Sequence, residues 1–278
     1  MNRTVRPRKT STRGAAVPVV LTIAGSDSSG GAGIQADLKT FTALGVYGTS
    51  AVTCVVAEHP GRVLRVTALP PARVAEQIRA VLEAFPVAAI KTGMLGSRAI
   101  IEAVEKAIAP VLAAGVPLVI DPVMTASAGG RLLARDALPA LRRLIAQATL
   151  VTPNRDEAAW LVGRPIPDEK ALRSAAVELA INFAKPHVLA KGGHLRTHEA
   201  VDWLASPHGT VKRVTSRRVR GVDPHGTGCT YSAAIAVGLA QGLPLPDAVA
   251  MGKRFIARAL ERRLKIGGWD LLNHLPGA

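Results

Sequence analysis

From Val19 to Lys265 the chain alternates apolar runs of strand length with longer stretches of helical period, and no other pattern in it constrains the fold as strongly. The strand-length runs are Val19 to Ala24, Tyr47 to Ala57, Ala88 to Lys91, Val116 to Ile120, Leu150 to Thr152 and His187 to Ala190. Most are nearly continuously apolar, which marks strands covered on both faces. Helical patterns lie between them. Gly33 to Leu44 places Ile34, Leu38 and Phe41 on one face, and Pro71 to Ala84 has proline in its permitted first turn. Ala99 to Ala114 follows Ser97 as a cap. Asp136 to Ala148, Asn154 to Val162, Asp168 to Ala184, Thr227 to Gln241 and Leu245 to Lys265 complete the set. Val63 to Ala68 alternates like a half-exposed strand, and Glu199 to Ala205 pairs with Thr210 to Val219 as a ribbon.

This order predicts an α/β fold of three layers, a mostly parallel central sheet with helices on both faces. Ligands of such sheets bind beyond the carboxyl ends of the strands. Gly25, Glu58, Thr92, Asp121, Asn154 and Lys191 stand at those ends and are expected to converge. No linker divides residues 19–278, so one domain is expected after a basic tail, residues 1–18, read as disordered. That tail is Arg/Ser/Thr-rich and free of acids, like a transit peptide, but shows no amphipathic period.

Composition excludes several functions. The net charge is +15, yet five of the positive charges fall in the tail and aromatics make up only 3% of the chain, so platforms for stacking bases are scarce. A protein that handles anionic nucleotides explains the charge as well as nucleic acid does. No apolar run reaches the roughly 18 residues that a membrane span requires. Cys54 and Cys229 have no paired spacing, which fits a reducing cytoplasm rather than a disulfide framework or structural zinc.

Five stretches carry chemistry. In His225-Gly-Thr-Gly-Cys-Thr230, a glycine turn feeds a helix of small residues, so backbone amides and the helix dipole favour an anion there. Gly25 to Gly33 has P-loop glycine spacing without the lysine, and a formal dinucleotide match at Gly31 to Ala36 without a well-placed acid. The simpler reading is a flexible loop that closes over a small ligand, with Asp37 facing the pocket. Asp121 ends a strand, and Asn154 and Glu157, three apart, share a helix face. These are acceptors suited to magnesium beside a polyphosphate, while Asn154 and Glu157 equally suit a capping box. Lys191, followed by two glycines, can meet phosphate as a point charge. An anion nest, a cation, metal acceptors and a lid-like loop are the parts that phosphoryl transfer uses.

With these stretches in order, the sequence resembles the hydroxymethylpyrimidine/phosphomethylpyrimidine kinases of thiamine biosynthesis, in the ribokinase superfamily. The matching stretches are Leu21 to Asp27, Gly30 to Phe41, Lys91-Thr-Gly-Met94, Asp121-Pro-Val-Met124, Thr152-Pro-Asn154, Lys191-Gly-Gly-His194 and His225 to Thr230. The resemblance implies a ribokinase-like cytoplasmic kinase that uses ATP with Mg2+, takes a small pyrimidine alcohol and is often dimeric. It places Gly25, Asp37, Glu58 and Met94 around the pyrimidine, and Gly226, Thr227 and Gly228 in the anion hole. It puts Lys191 on the transferring phosphate and Asp121, Asn154 and Glu157 around magnesium. Cys229 stands where most relatives have an aspartate base; a helix N-terminus is expected to lower its pKa, although a thiolate beside triphosphate is electrostatically opposed. Glu58-His59 departs from the usual Gln-Asn, Met124 to Gly130 lacks the usual Lys-Ser-Gly-Asp, and Asp223-Pro224 replaces a polar pair. These departures flank the pocket. They keep open a pyridoxal kinase and a non-catalytic pyrimidine-binding relative.

Overall fold

A computed structural model describes residues 16–125, 130–193, 198–219 and 225–275. Most of the basic tail, part of the loop after Met124, His194 and Asp223-Pro224 lie outside the described residues. The elements follow the alternation in the sequence. They are β1 (Val19–Asp27), α1 (Gly33–Ala43), β2 (Tyr47–His59), β3 (Arg62–Ala68), α2 (Pro71–Ala84), β4 (Val87–Thr92), α3 (Arg98–Ala113), β5 (Leu118–Ile120), α4 (Leu138–Ile145), β6 (Leu150–Val151), α5 (Arg155–Val162), α6 (Glu169–Phe183), β7 (His187–Lys191), β8 (Glu199–Ala205), β9 (Val211–Arg217), α7 (Thr227–Ala240), α8 (Leu245–Glu261), β10 (Leu264–Ile266) and β11 (Trp269–Leu271).

Among the described residues, nine strands form one sheet in the order β3-β2-β1-β4-β5-β6-β7-β8-β9. The run from β2 to β7 is parallel, and β3, β8 and β9 add antiparallel edges. Successive strand residues point to opposite faces, so the continuous apolar runs fill two cores. Leu21 and Ile23 pack with α2, α3, α4, α5 and α6, while Val20 packs with α1, α7 and α8. Helix α7 is buried from Thr230 to Gly238, as its small-residue composition predicts.

Two boundaries differ from expectation. The last helix ends at Glu261 rather than Lys265, and a β10–β11 hairpin follows, turning at Gly267-Gly268 with φ of 57° and 84°. Two adjacent positive-φ positions are what a tight hairpin requires, and Gly-Gly was its signal. Strand β3 is exposed almost throughout rather than half-buried, since it forms the sheet edge.

The chain then returns under α7. His274 is buried, and its Nε2 lies 2.9 Å from Thr230 Oγ1. We assign this nitrogen as the acceptor, because the ring also bonds the Leu272 backbone. Burial, aided by Lys39, pushes the imidazole pKa down to about 4. Below its ordinary pKa near 6.5 the unfolded chain takes up a proton that the folded chain refuses. Stability should therefore decline as pH falls from about 6.5 to about 4, by up to ~3 kcal/mol from this group. Urea titrations across that range check this, and His274→Gln should flatten the decline.

Candidate active site

The parallel strands end along one edge, and a cleft opens above it. Gly25, Glu58, Met94, Asp121, Asn154, Glu157, Lys191 and the start of α7 from Gly226 to Cys229 all line it. The stretches scattered through the sequence therefore meet, except that Thr92, expected with them, is fully buried and does not line the cleft.

The loop after β1 is tied by hydrogen bonds centred on Asp27. The Asp27 carboxylate accepts from Ser29 N, Ser29 Oγ, Gly31 N and Ala32 N at 2.7–3.0 Å and from His225 Nε2 at 3.2 Å. Burial opposes its charge, but these donors hold the carboxyl well below the usual carboxylate range. The loop meets the start of α7 backbone to backbone. Gly226 sits at φ 88°, and a Cβ there would lie 1.7 Å from the Gly31 carbonyl oxygen. Glycine is compulsory at that position on both counts. No side chain caps α7, and its first-turn residues line the cleft.

Lys191 ends β7 and donates to Asp121 Oδ1 at 2.8 Å. Burial works against the ammonium, but Asp121 and Glu157 outweigh it and raise its pKa. The Gly228 Cα stands beside both: a Cβ there would be 3.2 Å from Lys191 Nζ and 3.3 Å from Asp121 Oδ2. Asn154 and Glu157 do form the capping box. Asn154 Oδ1 accepts from the amides of Asp156 and Glu157, and Glu157 accepts from the Asn154 amide at 2.8 Å. Burial, with Asp121 nearby, pushes Glu157 up to about 8, against the pull of Lys191 and the Asn154 amide. A carboxyl raised in this way, next to a second carboxylate, is a donor set that a hard divalent cation would relieve.

Two expectations are corrected. Asp37 does not face the cleft: it is fully buried behind the floor, where Lys91 Nζ donates to both of its oxygens at 2.8 Å and Thr22 Oγ1 donates at 2.6 Å. The residue falls on the buried face of α1, with Phe41 and Ile34. Burial disfavours both charges, yet Asp37, with Cys229 and Asp121 near, keeps Lys91 above its ordinary range. Cys229 is not a low-pKa thiol either. Burial, with Asp37 and Asp121 adding to it, pushes the thiol up to about 11, although Lys91 and the Gly33 backbone oppose this. Desolvation beats the helix N-terminus.

Other parts of the cleft were not legible. Val56, Val63, Val123 and Leu132 join Met94 in an apolar wall. At the opposite end Val219, Ile256, Ala257 and Leu260 line a second apolar lobe. Between them buried Asp202 accepts from the Gly192 amide at 3.0 Å and from Lys253 Nζ at 2.6 Å, fixing the turn beside Lys191. The Ile256–Leu260 spacing of four resembles any amphipathic helix, so only tertiary placement reveals this role.

The fold and cleft define the class: a kinase of the ribokinase-like fold. The phosphomethylpyrimidine kinase family model matches residues 27–273, and the chain belongs to that family. It is 43% identical to the hydroxymethylpyrimidine/phosphomethylpyrimidine kinase of Rhizobium meliloti over 90% of this chain and 93% of that protein. It is 45% identical to the thiamine biosynthesis bifunctional protein ThiED of Geobacter sulfurreducens over 93% of this chain, but spans only 52% of that longer protein. An ADP complex of Bacillus subtilis pyridoxal kinase superposes with a TM-score of 0.85 at 34% identity, covering 93% of this chain and 98% of that one.

The Lys91–Asp37 pair has a testable cost. Removing one partner strands a buried charge, so Asp37→Asn or Lys91→Met alone should cost about 3–5 kcal/mol. The double variant Asp37→Asn/Lys91→Met should cost clearly less than the sum, as denaturant titration of all three would show.

Proposed function

We propose that this protein phosphorylates the hydroxymethyl group of 4-amino-5-hydroxymethyl-2-methylpyrimidine, and then its monophosphate, with ATP as donor, in thiamine biosynthesis or salvage. One observation carries the reading: Lys191, the Gly226–Gly228 turn and the Met94 wall border the same cleft. Family membership supports the substrate, and the ADP complex of the pyridoxal kinase supports the nucleotide.

In this reading the pyrimidine lies against Met94 and Val56, near Gly25, with Glu58 accepting from its amino edge. The second lobe takes the adenine, which places the phosphates between Lys191 and Gly226, Thr227 and Gly228. Lys191 and the α7 amides neutralise charge on the transferring group, the dominant need of a loose phosphoryl transfer. Asp121, Asn154 and Glu157 fit the waters of a nucleotide-bound Mg2+, which supplies further charge neutralisation when bound. Asp37 acts indirectly, by holding Lys91 beneath Cys229. Cys229, as a neutral thiol, orients the hydroxymethyl group rather than abstracting its proton. We place this activity in the cytoplasm, in a single domain beginning near Val19 and in a homodimer; exposed Leu64 and Val66 on edge strand β3 support self-association. Sedimentation at micromolar concentration tests the stoichiometry.

ATP-dependent turnover of the pyrimidine alcohol, its phosphate and pyridoxal, measured side by side, tests the reading. The pyrimidine should have the highest kcat/KM. Tight pyrimidine binding without turnover would mark a non-catalytic relative, and a preference for pyridoxal would replace the substrate. Lys191→Met should lower kcat on the order of 100-fold or more. Cys229→Ser and Cys229→Ala should both retain activity with an unchanged pH profile; a loss confined to Ala, with a moved profile in Ser, would restore the base role.

A further inference from the structure

Asp27, Glu58 and His225 come from three separate segments and meet at the mouth of the cleft. His225 Nε2 lies 3.2 Å from Asp27 Oδ2 and 3.8 Å from Glu58 Oε1. All three side chains are largely buried. The geometry points to His225 as a positioning residue, a cationic latch that draws the Asp27 loop and the Glu58 wall together and so fixes the anion-binding turn that it immediately precedes. This inference rests on the kinase reading above.

Each side of the latch is hydrogen-bonded in place. Asp27 is held by four donors from residues 29–32. The Ser28 hydroxyl donates to the Glu58 carbonyl at 2.8 Å and accepts from the Glu58 amide at 2.9 Å. Two carboxylates brought this close repel unless a cation stands between them. Gly226 presses on the Gly31 backbone but has no side chain to anchor it. Its neighbour His225 is the anchor. Burial disfavours the imidazolium, but Asp27 and Glu58 raise its pKa to about 9. Among the described residues, the charged groups that act on the imidazole are those two carboxylates, and Lys39 of α1 bonds the Gly30 carbonyl of the same loop at 2.7 Å. The same three side chains have the composition of a metal site, with ligand atoms within 4.8 Å of one another. Asp27 is already saturated by the loop, however, so a cation there would have to dismantle it.

Steady-state kinetics of the full chain against pH, for wild type, His225→Asn, His225→Lys and Glu58→Gln, provide the test. His225→Asn should lose on the order of 10-fold or more in kcat, while bound pyrimidine still raises its thermal midpoint. Wild-type kcat should fall along an alkaline limb near pH 9. Glu58→Gln should move that limb to lower pH, and His225→Lys, charged throughout, should abolish it. An unchanged kcat in His225→Asn, or a limb unmoved by Glu58→Gln, overturns the latch. Should His225→Lys fail to fold, NMR titration of the wild-type imidazole decides: a midpoint near 9 that drops in Asp27→Asn supports the latch, and one near 6.5 refutes it. This titration also separates the latch from the kinase reading, because it needs no turnover. Zinc that binds the wild type but not Asp27→Asn would replace the latch with a metal site.

Discussion

The cleft depends on one steric fact: two glycine segments from opposite ends of the chain touch through their backbones. Gly226 leaves no room for any atom between itself and the Gly31 carbonyl. That contact sets how far α7 advances toward the carboxyl edge of the sheet. Its position in turn places Gly228 against Lys191 and Asp121, which arrive independently at the ends of β7 and β5. A helix start without a side-chain cap is costly unless something satisfies its amides. Here the sheet edge supplies a cleft in which an anion can do so.

Charge around this contact is grouped in three sets. Lys91 and Asp37 are fully buried, while Lys191 with Asp121, and His225 with Asp27 and Glu58, are largely buried. Each set pairs a cation with at least one carboxylate, so the site is close to balanced before substrate enters. The balance is imperfect at two groups. Glu157 is buried and Cys229 half-buried where desolvation and neighbouring carboxylates disfavour a negative charge, and both are pushed toward their neutral forms.

Much of this was legible because the physics was local. Periodicity gave the strands and helices, Ser97 and Asn154 announced their caps, and strand ends in a parallel sheet must converge. What failed was non-local. Nothing within α1 says that Asp37 meets a lysine 54 residues away on β4. The helix-terminus argument for Cys229 was sound but incomplete, since desolvation by the surrounding fold is a tertiary property and the larger effect. His225 looked like part of a glycine motif, and its partners Asp27 and Glu58 lie far from it in sequence.

Glu58 shows how these levels combine. As a departure from the family's usual glutamine, it reads as a substrate determinant alone. In the structure its backbone is clamped by Ser28, and its carboxylate faces an imidazole that also serves Asp27. An amide in that position would accept from a ring donor equally well but would leave His225 with one carboxylate instead of two. In the proposed reading the substitution therefore changes the charge of this cluster as well as the edge presented to the ring. Asp27 and His225 belong to stretches that carry the resemblance, so in that reading the consequence of Glu58 is a tighter hold on the imidazole rather than a new site. Ring recognition and the placement of the Gly226–Gly228 turn would thereby be linked through one histidine.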